Sequence, residues 1–598
     1  MSEHSLRAPA TPGRARLLLA ATAAAALAVA ACRDAPPTPG ATEPAAAAAP
    51  RAQLVGDPEP VASVTVQVPA SMRTPPFDAA RTLRVPDGFD ARVYARVPGA
   101  RFMAFAPNGD LLVSNPGAGR VMLVRRRSGG DPTVTPWATG LYRPHDIVFH
   151  TIGAQWWVYV AEADKIARYA YTSGDSIGRG RQVVIAGLPS ASLPELRGSY
   201  GHELKNIALD ANGNLYVSIA SVSNASPSDA EATPVRGSVY VYPAAGGAGR
   251  LFARGLRNAE GLAMVPGTNV LWVVVNNRDN IAYPFQNDFD GNGTNDYGKV
   301  LSRYVDNHPP EEFTRVVDGG DYGWPFCNPN PDAGLDDMPF DRDVQTNADG
   351  ARLDCARATR VSKGIQAHSA PLGLTFFQGT NVPAPYRDGA AIAYHGSWNR
   401  TTRTGYKVVF FPWNATTGRP GTQVDLVTGW TAGGVWGRPV DVAADAAGAI
   451  YVSDDESGTI YRFARTAAAQ RVATFTLFDA TTDRPIAGYD PLPNGATLDL
   501  AALPSRALNV RANTDPTRVG SVRFGLDANA SFRVESVFPY VLAGDRTSGG
   551  VTDYLPWTPT VGTHTLTATP FTGSGATGTA GTPLQVTFTV VDRAAASR

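Results

Sequence analysis

Lys205–Ile219 reads KNIALDANGNLYVSI, and Val440–Asp454 reads VDVAADAAGAIYVSD. In each, a short apolar run leads into a turn built on Asp-Ala-x-Gly, and a second apolar run with Tyr-Val-Ser follows. β-Branched and aromatic residues in runs this short, separated by a Gly turn, read as two antiparallel strands. The same wording recurs outward from these two copies. FMAFAPNG at Phe102 precedes DLLVSN, HDIVFH at His145 precedes WWVYVAE, EGLAMVPG at Glu260 precedes VLWVVVNN, and PLGLTFF at Pro371 precedes GAAIAYHGS. That makes six copies, at intervals of about 45 to 70 residues with one long gap between Glu260 and Pro371, the period of four-stranded propeller blades. One twisted four-stranded sheet cannot cover its own faces, whereas six packed radially cover each other and leave a central channel with loops at its ends. The expected fold is therefore all-β, a six-bladed β-propeller over residues 82–466, with an insertion in the long gap.

The wording changes after Arg465. VATFTLFD, LDLAAL, LNVRANT, VGSVRFGLD, THTLTATPF and LQVTFTVVD alternate apolar and polar residues between turn residues. This pattern predicts a small immunoglobulin-like β-sandwich over 467–598, without the Cys pair of antibody domains.

Before the repeats the chain carries an address. Arg7, Arg14 and Arg16 precede an apolar stretch, Leu17 to Ala31, that is too short for a mature membrane span. Val29-Ala30-Ala31-Cys32 resembles the bacterial lipobox, so residues 1–32 are expected to be a lipoprotein signal with lipid attached at Cys32. Residues 33–81, rich in Ala and Pro, are expected to be a tether. The protein is expected to be exported, to the periplasm or cell surface, and held at the membrane through its lipid alone. Cys327 and Cys355 are the other two cysteines; in an oxidising compartment they are expected to be bridged, and they lack the nearby His or Cys pair that a zinc cage needs. Of the 598 residues, Lys+Arg and Asp+Glu are both 53, so no net field draws nucleic acid. The 60 Gly and 48 Pro suit many strands joined by turns.

GLYRPHDIVFH, VYVAEADKIARYAY, YGHELKNIALDANGNLYVSIASVSN, GLRNAEGLAM, VVNNRDN, GGDYGWPFC, AHSAPLGLTFF, YHGSWNR with GYKVVFF, and GRPVDVAADAAGAIYVSDDESGTIYRF, in that order, resemble the glucose/sorbosone dehydrogenase family. The resemblance implies a six-bladed propeller that holds pyrroloquinoline quinone (PQQ) and Ca²⁺ on the channel face and oxidises a sugar, sugar aldehyde or related alcohol. Electrons would pass to a separate acceptor, since no CxxCH haem motif is present. His202 matches the family's general base, work that imidazole suits. Arg257 and Asn258 match the pair facing quinone and substrate. Arg438 matches a cofactor-binding Arg, with Arg400 and Lys407 as further candidates for the same task and Trp398 as a stacking face or core filler.

Arg278 and Asp279 fall where the family binds its Ca²⁺ through a Gly-Pro dipeptide, so the loop chemistry departs there. A second calcium candidate follows from residues alone. Asp288, Asp290 and Asn292 alternate, with Gly293 at the sixth position and Asp296 beyond, as a calcium loop requires; Lys299 at the twelfth position excludes a complete EF-hand. An Asx-turn loop is the alternative. Lys205, His145 and Asp146 also depart from the family's pattern, and His145, His368 and His395 either rim the channel or cap turns. Two other functions fit the same fold: a Ca²⁺-dependent lactonase-like hydrolase, which needs a carboxylate-bound metal in the channel, and a non-catalytic surface propeller that binds glycan or protein.

Overall fold

The computed structural model describes residues 61–593 apart from 128–129, 384, 466–469 and 549–550, and within it the protein is nearly all β. The expected signal, its Cys32 and the tether as far as residue 60 lie outside the described residues. No helix among the described residues is long and apolar enough to cross a membrane.

The six copies become six separate antiparallel sheets. Their first strands are β1 (Met103–Phe105), β2 (Ile147–Ile152), β3 (Ile207–Leu209), β4 (Asn258–Met264), β5 (Pro371–Phe376) and β6 (Pro439–Ala444). Each pairs with the second run read from the sequence, for example Ile207–Leu209 with Leu215–Val217 and Val442–Ala444 with Ile450–Val452. Two outer strands complete the first, second and sixth sheets, and three complete the third, fourth and fifth. The sixth takes its outermost strand, Phe89–Arg96, from ahead of the first sheet in the chain, paired with Thr459–Arg465.

The turn chemistry is the same in the two founding copies. Asp210 Oδ1 accepts from Asn212 N (3.0 Å) and Asn214 N (2.8 Å), and Asp445 Oδ1 accepts from Ala447 N and Ala449 N (both 2.9 Å). Such Asx turns close a hairpin locally. Gly448 is required twice over: its φ is +85°, and a Cβ there would lie 2.0 Å from the Asn381 carbonyl.

An apolar cluster fills the space between each sheet and the next. Leu112 and Val121 meet Ile147 and Val158; Tyr159 and Ile166 meet Leu215 and Val217; Val239 meets Val273; Val274 meets Ile392; Phe410 meets Val452; and Tyr451 and Ile460 meet Met103 and Val113. The last cluster joins the sixth sheet to the first. Polar staples reinforce the apolar contacts. Asp146 accepts from its own Ile147 N (2.7 Å) and from Ile207 N of the next sheet (2.9 Å). Asp441 accepts from Val442 N and from Met103 N (both 2.8 Å), and Ser453 Oγ donates to Arg101 O (2.6 Å).

Three expectations need correction. The tether was expected to reach residue 81, yet Val61–Thr65 pairs with Thr82–Pro86, and Val66, Met72 and Phe77 are buried in the cluster that holds Trp430, Trp436 and Tyr461. Sparse apolar residues were averaged away among their Ala and Pro neighbours, yet each large one buried contributes roughly 1.5–3 kcal/mol. The insertion was expected between the fourth and fifth units. It lies inside the fourth sheet, because Val361–Ile365 pairs with Glu311–Arg315 as the next strand of that sheet. The disulfide Cys327–Cys355 forms within this insertion. Third, Trp398 does not fill the core, being 63% exposed.

After Arg471 the strands form sheets of their own, and no ladder among the described residues ties them to those before Arg465. Arg471–Asp479 pairs with Leu508–Asp515, and a five-stranded sheet is built around Gly562–Phe571 and Leu584–Val591. Phe475, Val510, Leu566 and Phe588 from the two sheets share one apolar cluster.

Candidate functional site

Of the site residues expected from the repeats, all but Lys407, which opens a third strand, stand at or just before the start of a first strand or just after the end of a second strand. In an antiparallel pair these positions share one end of the sheet. Arg101, His145, His202, Arg257, His368 and Arg438 therefore belong to one end of the six-sheet array, and the loops after the second strands, with Ser221, Asn276–Asp279 and His395–Arg400, join them.

His202 is partly buried. Its Nδ1 lies 3.0 Å from Ser221 O and 2.9 Å from Ser221 Oγ. A carbonyl only accepts, so Nδ1 carries the proton and Nε2 keeps its lone pair. Burial and then the neighbouring Arg257 charge depress the imidazole to about 4, which keeps it neutral at ordinary pH.

Arg257 is buried and almost wholly engaged by the protein. Nε donates to Asn224 O (3.0 Å), Nη1 to Asn276 O (3.2 Å) and Asn277 O (2.7 Å), and Nη2 to Asn224 Oδ1 (3.1 Å). Its reach to a ligand is therefore by charge more than by contact. Asn224 also clamps Asp279, accepting from its N–H (2.7 Å) and donating to its carbonyl (2.8 Å). Asn224 was not singled out from the sequence, although it closes the quoted VSN wording of the third repeat.

Asp279 sits between cations, its Oδ2 3.7 Å from Arg257 and its Oδ1 3.5 Å from His368 Nδ1. Burial opposes its ionisation, but the His368 hydrogen bond and the Arg257 charge outweigh burial and lower its pKa. His368 Nε2 donates to Val305 O (2.7 Å), and Asp279 and Glu311 raise its pKa against burial.

Asn258 is buried beside Glu260, its Nδ2 3.4 Å from Oε1. Glu260 Oε2 accepts from His145 Nε2 (3.1 Å), a bond that passes from the second sheet to the fourth. Against burial, that hydrogen bond pulls the Glu260 carboxyl down, while burial lowers the pKa of His145 itself. His145 is thus a buried ring member rather than a turn cap. Its ring lies 4.5 Å from Phe102, which packs with Leu372 and Val440 as an apolar patch contributed by three sheets.

Arg438 is partly exposed. Nε donates to His395 O (3.2 Å) and Nη2 to Gly396 O (3.3 Å), leaving Nη1 for a ligand. Tyr406 lies beneath the guanidinium (5.8 Å), and Gly396 allows this, since a Cβ there would be 2.4 Å from the Tyr406 ring. His395 Nε2 bonds Asp455 (2.8 Å), which also binds Arg101 (2.7 Å). This second cluster neighbours the first, and the Arg101 charge acts on both His145 and His395.

The remaining expectations fare differently. Lys407 is bound to Asp425 (2.6 Å) in its own sheet and does not join either cluster. Arg400 donates to Asp306 O (2.5 Å) and, with Trp398, lines a separate cavity at the rim. Arg278 turns its guanidinium to Asp343 and Gln345 in the insertion. With Arg278 so engaged and Asp279 flanked by two cationic side chains, these two side chains do not fit a divalent cation.

Oxygens of Asp288, Asp290 and Asp296 lie within 4.8 Å of one another. Asp288 already accepts from the N–H groups of Gly291, Asn292 and Gly293, and Lys299 Nζ lies 2.9 Å from Asp296 Oδ1, the arrangement of an Asx-turn loop. Lys205, fully buried, donates to Glu203 O, and burial lowers its ammonium to about 7. Two further carboxyls were missed altogether: Glu311 and Glu312 are pushed up by burial to about 7 and about 8 beside Asn277. Five non-glycine residues near this end adopt positive φ, namely Arg143, Asn280, His368, Ala370 and Tyr406 (49–65°). Such strain gathers where a surrounding structure holds a functional geometry.

A family model described as TrAA12-like matches residues 83–466. An uncharacterized protein of Borreliella burgdorferi is 24% identical over 397 residues, covering 64% of this chain and 90% of its own length. A PQQ-dependent pyranose dehydrogenase of Coprinopsis cinerea is 27% identical over 247 residues, 36% of this chain, and the chain spans only 31% of that relative's length. Among solved structures, the holo PQQ domain of the Coprinopsis cinerea pyranose dehydrogenase is covered to 98% by 67% of this chain, at 19% identity and a TM-score of 0.52. A calcium structure of the Trichoderma reesei AA12 enzyme is covered to 96% by 64% of this chain, at 20% identity and a TM-score of 0.50. At these identities the two structures bear on the fold alone.

Proposed function

The chain belongs to the TrAA12-like family across residues 83–466, and from that premise we propose that it is a PQQ-dependent dehydrogenase that oxidises a sugar, sugar aldehyde or related alcohol and hands electrons to a separate acceptor. The observation that carries the reading is His202, neutral and oriented by Ser221, beside the fixed charge of Arg257. In this reading the six sheets are the blades of a closed six-bladed propeller, supported by the apolar clusters between successive sheets and by the Asp441 and Ser453 staples from the sixth to the first. Residues 471–591 are a separate β-sandwich, supported by their own core. Export and lipid attachment at Cys32 belong to the same proposal and rest on the Leu17–Ala31 and lipobox wording.

The donor set suits a polyanionic planar quinone. Arg438 offers free N–H groups to a carboxylate, and the apolar patch of Phe102, Leu372 and Val440 adjoins the polar groups. When bound, PQQ supplies an electron-pair acceptor for hydride. The chain's own part is to hold the substrate hydroxyl against His202 Nε2, which takes the proton as the carbon–hydrogen bond breaks. Burial, with the Arg257 charge second, keeps His202 unprotonated beforehand, and Arg257 favours negative charge developing nearby.

The hydrolase alternative needs a carboxylate-bound metal in the channel. Among the described residues the one cluster of three acidic groups with metal-binding spacing is Asp288, Asp290 and Asp296, in the long loop between Leu271–Asn276 and Glu311–Arg315, where the Asx-turn bonds and Lys299 already engage them. The test is aldose-driven dye reduction by the purified protein after addition of PQQ. Reduction that needs PQQ and vanishes in His202→Ala supports the reading, and His202→Ala turnover at the wild-type rate would overturn it.

A further inference from the structure

At the rim, between the segment 280–306 and the loop that follows Gly389–Tyr394, a cavity of about 190 Å³ is lined by Asn280, Ser302, Asp306, Trp398, Asn399 and Arg400. We propose that this cavity binds a second sugar ring, so that the substrate is a saccharide of two or more units rather than a free monosaccharide. The inference rests on the dehydrogenase reading for its catalytic context, but the binding it asserts can be measured without cofactor.

Trp398 presents a planar apolar face to water at 63% exposure, and an indole is a flat partner for the C–H face of a pyranose. Around it stand polar groups. The Asn280 amide and the Ser302 hydroxyl have no hydrogen-bond partner among the described residues, and Arg400, held by Asp306 O through Nη1 and by the Gln366 amide oxygen through Nη1 and Nη2, keeps Nε–H and one Nη2 N–H. Neutral hydroxyls both donate and accept, so an amide, a hydroxyl, a carboxylate and a guanidinium together suit a sugar. With Asp306 against Arg400, the lining favours no net charge, which argues against an anionic or cationic ligand.

The walls are held in place before any ligand arrives. Arg400 Nη1 donates to Asp306 O (2.5 Å), Thr401 N donates to Asp306 Oδ1 (2.7 Å), and Asn280 is fixed at a φ of +51°. Asn399 links the cavity to the site: its Nδ2 lies 3.5 Å from Asp279 Oδ1, the carboxylate that Arg257 and His368 bracket. A ring presented to His202 thus has the cavity as its neighbour.

The experiment is calorimetric titration of the cofactor-free protein with glucose, cellobiose, maltose, xylobiose and the matching trisaccharides, repeated on Trp398→Ala and Arg400→Ala with folding checked by circular dichroism. At least one di- or trisaccharide is expected to bind the wild type about tenfold tighter than its monosaccharide, and Trp398→Ala to erase that preference. No chain-length preference in the wild type, or a preference that survives in Trp398→Ala, overturns the proposal. A saccharide preference in a protein that binds no PQQ would keep the subsite and remove the redox reading. PQQ-dependent oxidation without any chain-length preference would remove the subsite alone.

Discussion

In the proposed function His202 meets substrate through Nε2, because Ser221 occupies Nδ1. With its pKa pulled down to about 4 by burial and Arg257, the imidazole is a competent base at any pH well above that value and loses competence only as acid protonates Nε2. We therefore expect the acidic limb of kcat/KM in the PQQ-loaded enzyme near pH 4 to 5 rather than near the ordinary histidine value of about 6.5. A limb at the ordinary value would show that burial and Arg257 do not act on it. Replacing His202 by Ala is expected to lower kcat by about 10²- to 10⁴-fold while PQQ still binds, read by steady-state kinetics alongside a binding titration. The place of His202 ahead of the third sheet's first strand was legible from YGHELKN, and its role as base belongs to the proposed function. The full engagement of Arg257 was not, because no sequence pattern says which loop carbonyls will turn toward a guanidinium. Asn224 escaped notice for the same reason: an Asn after a strand is usually a turn residue, and only the fold brings it against both Arg257 and Asp279.

Strands and turns were the most readable parts of the chain. Asp210 and Asp445 close their hairpins through the same backbone groups, and Ser218 and Ser453 accept from the N–H groups of Asn206 and Asp441, which hold the same place in the two copies (3.0 and 3.1 Å), so repeated wording reports repeated hydrogen bonding. Pairings between distant segments were harder. Phe89–Arg96 joins Thr459–Arg465 across most of the chain, and the strap before it buries Phe77 against Trp436 and Tyr461 (6.1 Å each). Phe77→Ala is expected to cost about 3–5 kcal/mol, seen as a lower midpoint in urea unfolding; an unchanged midpoint would mean that the strap adds nothing to stability. The Cys327–Cys355 link restrains the insertion in the fourth sheet, and replacing both residues with Ser is expected to lower stability by roughly 3–4 kcal/mol, checked by thermal unfolding under non-reducing conditions.

Across the whole molecule, residues far apart in the chain reach one end of the array because they occupy equivalent places in a repeated unit, before a first strand or after a second. Arg101, His145, His202, Arg257, His368 and Arg438 follow that rule, whereas Lys407, inside a third strand, falls away from it. The central claim is that this shared end accepts a planar polyanionic quinone. Its most direct test is calorimetric titration of PQQ into the cofactor-free protein, compared with Arg438→Ala. Saturable binding of one PQQ per chain is expected, weakened at least about tenfold when the Arg438 guanidinium is removed. Heat no larger than dilution, or binding equally tight in both proteins, would contradict it.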